Sequence, residues 1–251
     1  MPGIMAIQDF VNKHPKKIAA IFVLPNVPKT LAANGEKFFA FLRRIPLTVL
    51  LYKVLETSVY YGLRRLLALG TPFTLAKKHN IPVKTVNDPN AEAFRKELES
   101  IACDVVFNLS PTILGAPFLK IPRMGCVNFH GGILPGWGGV GNYFWVLINN
   151  LQETGTTAHF MNETIDTGDI IGIKRFPITA TDTVHSVNFK NSVICNPLME
   201  DIAEAMERGA IPRQKQEPGA YRTFPTRADI ASLRKKRELF TVKDFAKSLF
   251  A

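Results

Sequence analysis

An α/β fold with a mainly parallel sheet flanked by helices follows from three features of the sequence. Lys17–Leu24, Asp104–Leu109 and Gly125–Phe129 are short continuous apolar runs, the pattern of strands buried on both faces. Segments of helical length and periodicity separate them. The 251 residues are 46% hydrophobic and 21% charged, the balance of a globular chain long enough to bury a full core without disulfide or metal staples.

Taken in order, Lys17–Leu24 (KIAAIFVL) is closed by Pro25 and predicts the first strand. Phe38–Leu69 is rich in Leu, Val, Tyr and Phe, but Arg43, Arg44, Lys53, Glu56, Arg64 and Arg65 recur too often for a membrane span. Two helices split near Pro46, with basic outer faces, are expected there, packed against the sheet in preference to lying on a membrane surface. Pro82–Val86 predicts a short strand. Pro89–Ile101 predicts a helix with Asp88 as N-cap and Pro89 at the first helical position. Asp104–Leu109 and Gly125–Phe129 are buried strands, with a short helix over Ile113–Leu119 between them. Tyr143–Leu151 predicts a helix. Thr156–Met161 and Ile170–Ile178 predict strands, the second alternating enough to lie at an edge. Thr183–Arg208 predicts a long helical stretch interrupted at Pro197 and ended by Gly209. Beyond about Pro212 the pattern weakens into a segment carrying Pro218, Gly219 and Pro225. The expected organisation is therefore one domain over residues 1–210 and a basic C-terminal tail over 211–251.

Charge and cysteine content narrow the function classes. Against 21 acidic residues stand 31 Lys and Arg, a surplus of +10. Ten basic and four acidic residues from Arg213 onward place +6 of it in the C-terminal segment, a field suited to phosphates and polycarboxylates. Three scattered cysteines (Cys103, Cys126, Cys195) form no CxxC pair, so a disulfide framework or Cys-rich zinc site is not expected and a reducing compartment is. The N-terminus lacks a signal-peptide core, which makes the cytoplasm the expected location. Met124–Gln152 is 29 residues without Asp, Glu, Lys or Arg, yet its seven glycines, four asparagines, Pro135 and His130 rule out a helix in lipid. A charge-free, glycine-rich stretch dotted with polar groups is what lines a site approached closely by a ligand.

In such sheets ligands bind beyond the carboxyl ends of the strands, which singles out the end of Gly125–Phe129. Asn128 and His130 are two residues apart and face the same side of an extended strand. Asp166, in the turn between the next two strands, can reach back over the sheet edge. An amide donor and a protonated imidazole stabilise an oxyanion. A carboxylate orients an imidazole and helps move protons from an attacking amine. Together these are the parts of an acyl-transfer site. Each also has a structural explanation: a histidine in a glycine-rich loop, an asparagine satisfying a strand end, and an aspartate forming a turn before Gly168.

The stretch Val127-Asn128-Phe129-His130-Gly131-Gly132-Ile133-Leu134-Pro135 resembles the Asn-x-His…Leu-Pro motif of folate-dependent formyltransferases. Ile113–Leu119 resembles that family's pterin-pocket segment, Gly155–Phe160 its strand, and Ile165–Ile171 its aspartate loop. The resemblance spans about Asp104–Ile178. It implies a Rossmann-like fold, 10-formyltetrahydrofolate as co-substrate of one-carbon transfer, no metal, and catalytic roles for Asn128, His130 and Asp166. Thr112, Ile113, Leu114 and Leu119, with Glu163, Thr164 and Ile165, would line the pterin site.

This chain departs from the family where a basic residue often follows Leu-Pro, since Gly138-Gly139 stand there, and where a serine often precedes the Leu-Leu-Pro, since Gly132 does. The first strand ends in Leu24-Pro25-Asn26 in place of a Gly-Ser-Asn phosphate loop, which counts against glycinamide ribonucleotide. The short span after Ile178 counts against initiator-tRNA formylation, and the short span before the first strand against formyltetrahydrofolate hydrolysis. The expected acceptor is therefore a small amine, an amino sugar carried on a nucleotide, with methionyl-tRNA or a secondary-metabolite amine as alternatives.

Readings from other classes are a dinucleotide-binding protein and a non-catalytic folate-binding module. Gly136–Gly141 matches GxGxxG, but His130–Pro135 separate it from the strand. Arg234–Arg237 lacks interleaved aromatics, so nucleic acid is not the expected partner. Trp137 and Trp145 are read as packing residues before stacking platforms. For a homodimer, the surfaces to inspect are Phe38–Leu69 and the edge strand near Ile170.

Overall fold

A computed structural model describes residues 4–24, 46–52, 54, 58, 62, 70–217 and 219–250. The elements are α1 (Gln8–Lys13), β1 (Ile21–Val23), α2 (Pro72–Lys78), β2 (Val83–Thr85), α3 (Glu92–Ile101), β3 (Val105–Asn108), α4 (Ala116–Leu119), β4 (Gly125–His130), β5 (Gly138–Gly139), α5 (Asn142–Ile148), β6 (Glu153–Phe160), β7 (Ile170–Pro177), α6 (Val184–Val193), α7 (Cys195–Glu207), β8 (Tyr221–Arg222), α8 (Arg227–Arg234) and α9 (Val242–Phe250).

Helices alternate with parallel pairs, as the sequence predicts. β1 pairs with β2 and β3 with β4, both parallel. β6 and β7 then extend the sheet as an antiparallel hairpin in the order β3-β4-β6-β7, leaving β7 at the edge. Period-two alternation divides β4 and β6 between two layers. Val127, Phe129, Ala158 and Phe160 face Leu198, Met199 and Ile202 of α7 and Phe10 of α1, forming one core. Asn196 of α7 ties α1 to this layer, accepting from the Phe10 amide at 3.1 Å and donating to the Met5 carbonyl at 2.7 Å. Cys126 faces away, into the cluster of Phe94, Leu98, Leu114 and Phe118 under α3 and α4. The opposite face of the sheet is thus free to carry polar residues at Asn128, His130 and His159.

Several boundaries differ from expectation. β1 covers only Ile21–Val23 of the predicted Lys17–Leu24, and it and Val105–Phe107 of β3 are half-buried because they line one cavity. α4 begins three residues later and α5 ends three residues earlier than predicted. The helix after β2 begins at Glu92, because Asp88 accepts from the Asn90 amide at 2.9 Å and closes a turn of its own. The long stretch after β7 breaks at Ile194, not at Pro197. Pro197 falls in the first turn of α7, where its missing N–H has no intrahelical partner to lose. β6 starts at Glu153, three residues before the predicted strand. Of Phe38–Leu69, residues 47–52 are helical just after Pro46. Val49 and Tyr52 pack with Phe144, Val184 and Ile230 of α5, α6 and α8. Most of that segment's remaining positions lie outside the described residues.

The segment beginning at residue 211, read from sequence as a basic tail, runs back across the body. Gln214 bridges the first residue of β7, Ile170, and β8 pairs in parallel with β5. Gly139 permits that pairing. Its φ is +98°, and a Cβ there would run into the backbone of Arg222. Ile230, Leu233 and Leu239 are buried with Phe144, Leu147 and Val187. Among the described residues no helix is long and apolar enough to cross a membrane.

Ile230 is 1% exposed, so Ile230→Ala removes a core side chain and should cost about 2–5 kcal/mol in a single denaturant transition. An unmoved midpoint would show that the C-terminal segment unfolds independently.

Candidate active site

The site grows from the polar face of the β4–β6 pair. Their antiparallel register sets Asn128 opposite His159 and His130 opposite Thr157, and directly opposed residues share a face. Thr157 pins the chain leaving β4: its hydroxyl donates to the Gly132 carbonyl at 2.7 Å and accepts from the Leu134 amide at 3.1 Å.

His159 is 2% exposed. Its Nδ1 lies 2.9 Å from the Phe160 carbonyl, which only accepts, so Nδ1 carries the proton and Nε2 is bare. Desolvation holds the ring below its ordinary histidine value, the nearby His130 adding to the effect, while the Phe160 carbonyl and Asp166 oppose it. The neutral Nε2 then accepts from Asn128 Nδ2 at 3.1 Å, and Asn128 Oδ1 accepts from Asn108 Nδ2 at 3.2 Å. The amide is oriented from both ends, leaving its second N–H uncommitted.

Asp166 sits at φ +58°, a left-handed turn that aspartate tolerates. Its Oδ2 accepts from the Gly139 amide at 2.8 Å and lies 3.4 Å from His130 Nδ1, while Oδ1 is 3.7 Å from His159 Nε2. Gln216, from the C-terminal segment, clamps the turn by donating to the carbonyls of Asp166 and Gly168 at 3.1 and 2.5 Å. On its other side the His130 ring meets the Trp137 carbonyl at 2.6 Å and Asn142 Nδ2 at 3.0 Å, both at Nε2. Asn128, His130 and Asp166, singled out in the sequence, are therefore brought into one contact network, with His159 between Asn128 and Asp166.

The expected pterin residues divide. Thr112 and Leu114 line a cavity of about 1400 Å³ between β1 and β3, together with Asn108 and Ser110. Ile113 is 68% exposed; its carbonyl accepts from the Asn90 amide at 2.9 Å. Leu119 packs against the cluster beneath α3 and α4. Glu163, Thr164 and Ile165 form an exposed turn before Asp166, in which the Thr164 amide donates to Asn162 at 3.0 Å and its carbonyl accepts from Thr167 at 3.1 Å. The glycines of Gly136–Gly141 are committed elsewhere: Gly138 and Gly139 pair with β8, and Gly141 precedes α5. They therefore do not form the strand-to-helix loop that a dinucleotide site requires. Trp145 donates to the Thr223 carbonyl at 2.9 Å and Arg222 stacks 3.9 Å over Trp137, so both tryptophans pack the C-terminal segment. Among the described residues no group of His, Cys, Asp and Glu could hold a metal.

His159, Asn142, Gln216 and Asn108 escaped the sequence reading. His159 had one available signal, its place on a predicted strand next to the Asn-x-His strand, but register is not written in the sequence.

The lowered value of His159 fixes a sign. An unfolded chain protonates this ring more readily, so the stability held by its neutral form is complete above about pH 6.5 and is lost as pH falls below it. His159→Gln should flatten the stability–pH curve below about pH 6.5, by at most about 1.4 kcal/mol per pH unit. Parallel urea titrations of both proteins across that range measure it; equal slopes would mean His159 titrates normally.

Comparison with known proteins shows the family. The profile of the Formyl transferase family matches residues 53–193, more than half of the chain. Methionyl-tRNA formyltransferase of Geotalea uraniireducens is 30% identical over 144 residues, 57% of this chain and 46% of the relative. That of Pseudoalteromonas translucida is 33% identical over 147 residues, 58% and 46% of the two chains. The chain thus spans about half the length of the curated relatives it matches. The X-ray structure of a sugar N-formyltransferase from a Shewanella species superposes with a TM-score of 0.50 at 22% identity, covering 65% of this chain and 70% of that one, and shows the shared Rossmann-like fold. With the Asn128–His159–Asp166–His130 network standing inside the matched segment, the chain belongs to the formyl transferase family.

Proposed function

We propose that this protein is an N-formyltransferase that moves the formyl group of 10-formyltetrahydrofolate to the primary amine of a small acceptor, an amino sugar carried on a nucleotide. The observation that carries the reading is the convergence of Asn128, His130 and Asp166, with His130 Nδ1 3.4 Å from Asp166 Oδ2. The acceptor nitrogen attacks the formyl carbon, a new C–N bond forms, and the bond from the formyl carbon to N10 of the folate breaks. The uncommitted N–H of Asn128 and the imidazole of His130 hold the oxygen as it gains charge. Asp166 steadies His130 and takes part in moving one proton from the attacking amine toward N10. His130 Nε2, bonded to the Trp137 carbonyl at rest, must exchange that partner for substrate.

The pterin would lie against the cavity lined by Thr112, Leu114 and Asn108, while the exposed turn Glu163–Ile165 leads into Asp166. The domain of residues 1–210 supplies the three reacting side chains, and the basic 211–251 segment completes their surroundings through Gln216 and β8. Surplus positive charge suits the glutamates of a folate and the phosphates of a nucleotide. Three free cysteines suit a reducing compartment, hence the cytoplasm. The Shewanella neighbour, a sugar N-formyltransferase, favours the amino sugar. The curated relatives favour a second acceptor, methionyl-tRNA.

The test is calorimetry with 5-deaza-tetrahydrofolate, followed by formyl uptake with nucleotide-linked amino sugars and with methionyl-tRNA. Micromolar binding, about −8 kcal/mol, should persist in His130→Ala while transfer falls at least 10²-fold. Absence of folate binding in the wild type would overturn the reading; uptake by methionyl-tRNA alone would replace the acceptor.

A further inference from the structure

Asn142, at the start of α5, is 4% exposed and places Nδ2 3.0 Å from His130 Nε2 and 3.3 Å from the Gly139 carbonyl. Its Oδ1 is buried without a hydrogen-bond partner. An asparagine kept only for structure satisfies its carbonyl; an unsatisfied one calls for another explanation. The contact with His130 also depends on Gly132. A Cβ there would stand 3.0 Å from Asn142 Nδ2, 3.0 Å from His130 Nε2 and 2.8 Å from the Trp137 carbonyl. The glycine leaves the space in which amide and imidazole meet.

Two partners of opposite kind converge on one nitrogen. The Trp137 carbonyl, at 2.6 Å, can only accept and so serves Nε2 when it carries a proton. The Asn142 NH₂ can only donate and so serves Nε2 when it is bare. Across the ring, Nδ1 faces the Asp166 carboxylate. We propose that Asn142 is a positioning residue that supports the Nδ1–H tautomer of His130, the form in which Nε2 is bare. Trp137 and Asn142 together then keep the ring in one place whichever of its nitrogens carries the proton. The titratable groups facing the ring are Asp166 from its loop and His159 from β6, whose ring centroid is 6.4 Å away. The described contacts from α5 and from residues 131–137 add no charged group.

The functional value of this device rests on His130 being the acting imidazole of the proposed transferase; the tautomer itself does not. The experiment is long-range ¹H–¹⁵N correlation on histidine-labelled protein at about pH 9, well above the ordinary histidine range, with His130→Gln to assign the signals. The wild type should populate both tautomers. In Asn142→Leu, in Asn142→Asp, which keeps the shape without the donor, and in Gly132→Ala, which expels the amide, the Nδ1–H share should fall about three- to tenfold. A wild type showing Nε2–H alone, or folded variants with the wild-type ratio, would overturn the proposal. With transfer in hand, Asn142→Leu should lower kcat roughly tenfold at unchanged KM for the folate. A shifted tautomer ratio in a protein that transfers no formyl group would sink the transferase reading and leave this inference standing.

Discussion

The hydrogen bond from His159 Nδ1 to the Phe160 carbonyl, 2.9 Å long, is the constraint on which the polar face depends. It chooses the tautomer of a buried ring, and that tautomer chooses the orientation of the Asn128 amide. The amide then offers one N–H to His159 and leaves the other uncommitted. Nothing in this sequence of choices involves a charge, which suits a site where burial penalises charged rings. The charged member, Asp166, stands at the rim, held by the Gly139 amide and flanked by two imidazoles. Neutral groups therefore set the geometry around the carboxylate.

Asn128, His130 and Asp166 were legible because they sit where local rules apply: a two-residue spacing at a strand end and an aspartate in a turn before glycine. The strands β1, β3 and β4 were legible for a similar reason, being continuous apolar runs closed by proline or polar residues, although β1 and most of β3 are half-buried. His159 was not, since it reaches Asn128 only through the β4–β6 register, and a shift of one residue would turn it into the opposite layer. Gln216 and Asn142 depend on tertiary contacts, 50 residues in sequence from Asp166 in the first case and 12 from His130 in the second. Asp88 and Pro197 show the converse error. Each is a strong local signal that was read at one position, while the fold uses it for a neighbouring turn.

The C-terminal segment changes the meaning of the glycine-rich stretch after β4. Taken alone, Gly136–Gly141 matches GxGxxG, although His130–Pro135 separate it from the strand. In the fold it is a short strand with a partner, and its glycines exist because another backbone lies against them. Of the basic residues from 213 onward, Arg222 stacks on Trp137 and donates to the Gly136 carbonyl at 2.7 Å, against that same stretch.

That arrangement has a consequence for the order in which the protein comes into being. Chains are synthesised from the N-terminus, and early portions begin to fold while later ones are still being made. β3, β4, β6, β7 and α7 are complete as a core before residue 214 emerges. Yet the turn bearing Asp166 still awaits Gln216, and β5 awaits β8. A nascent chain therefore has its scaffold before it has a finished pocket. The surroundings of Asp166 and of the glycine-rich stretch are thus completed after the sheet that carries them.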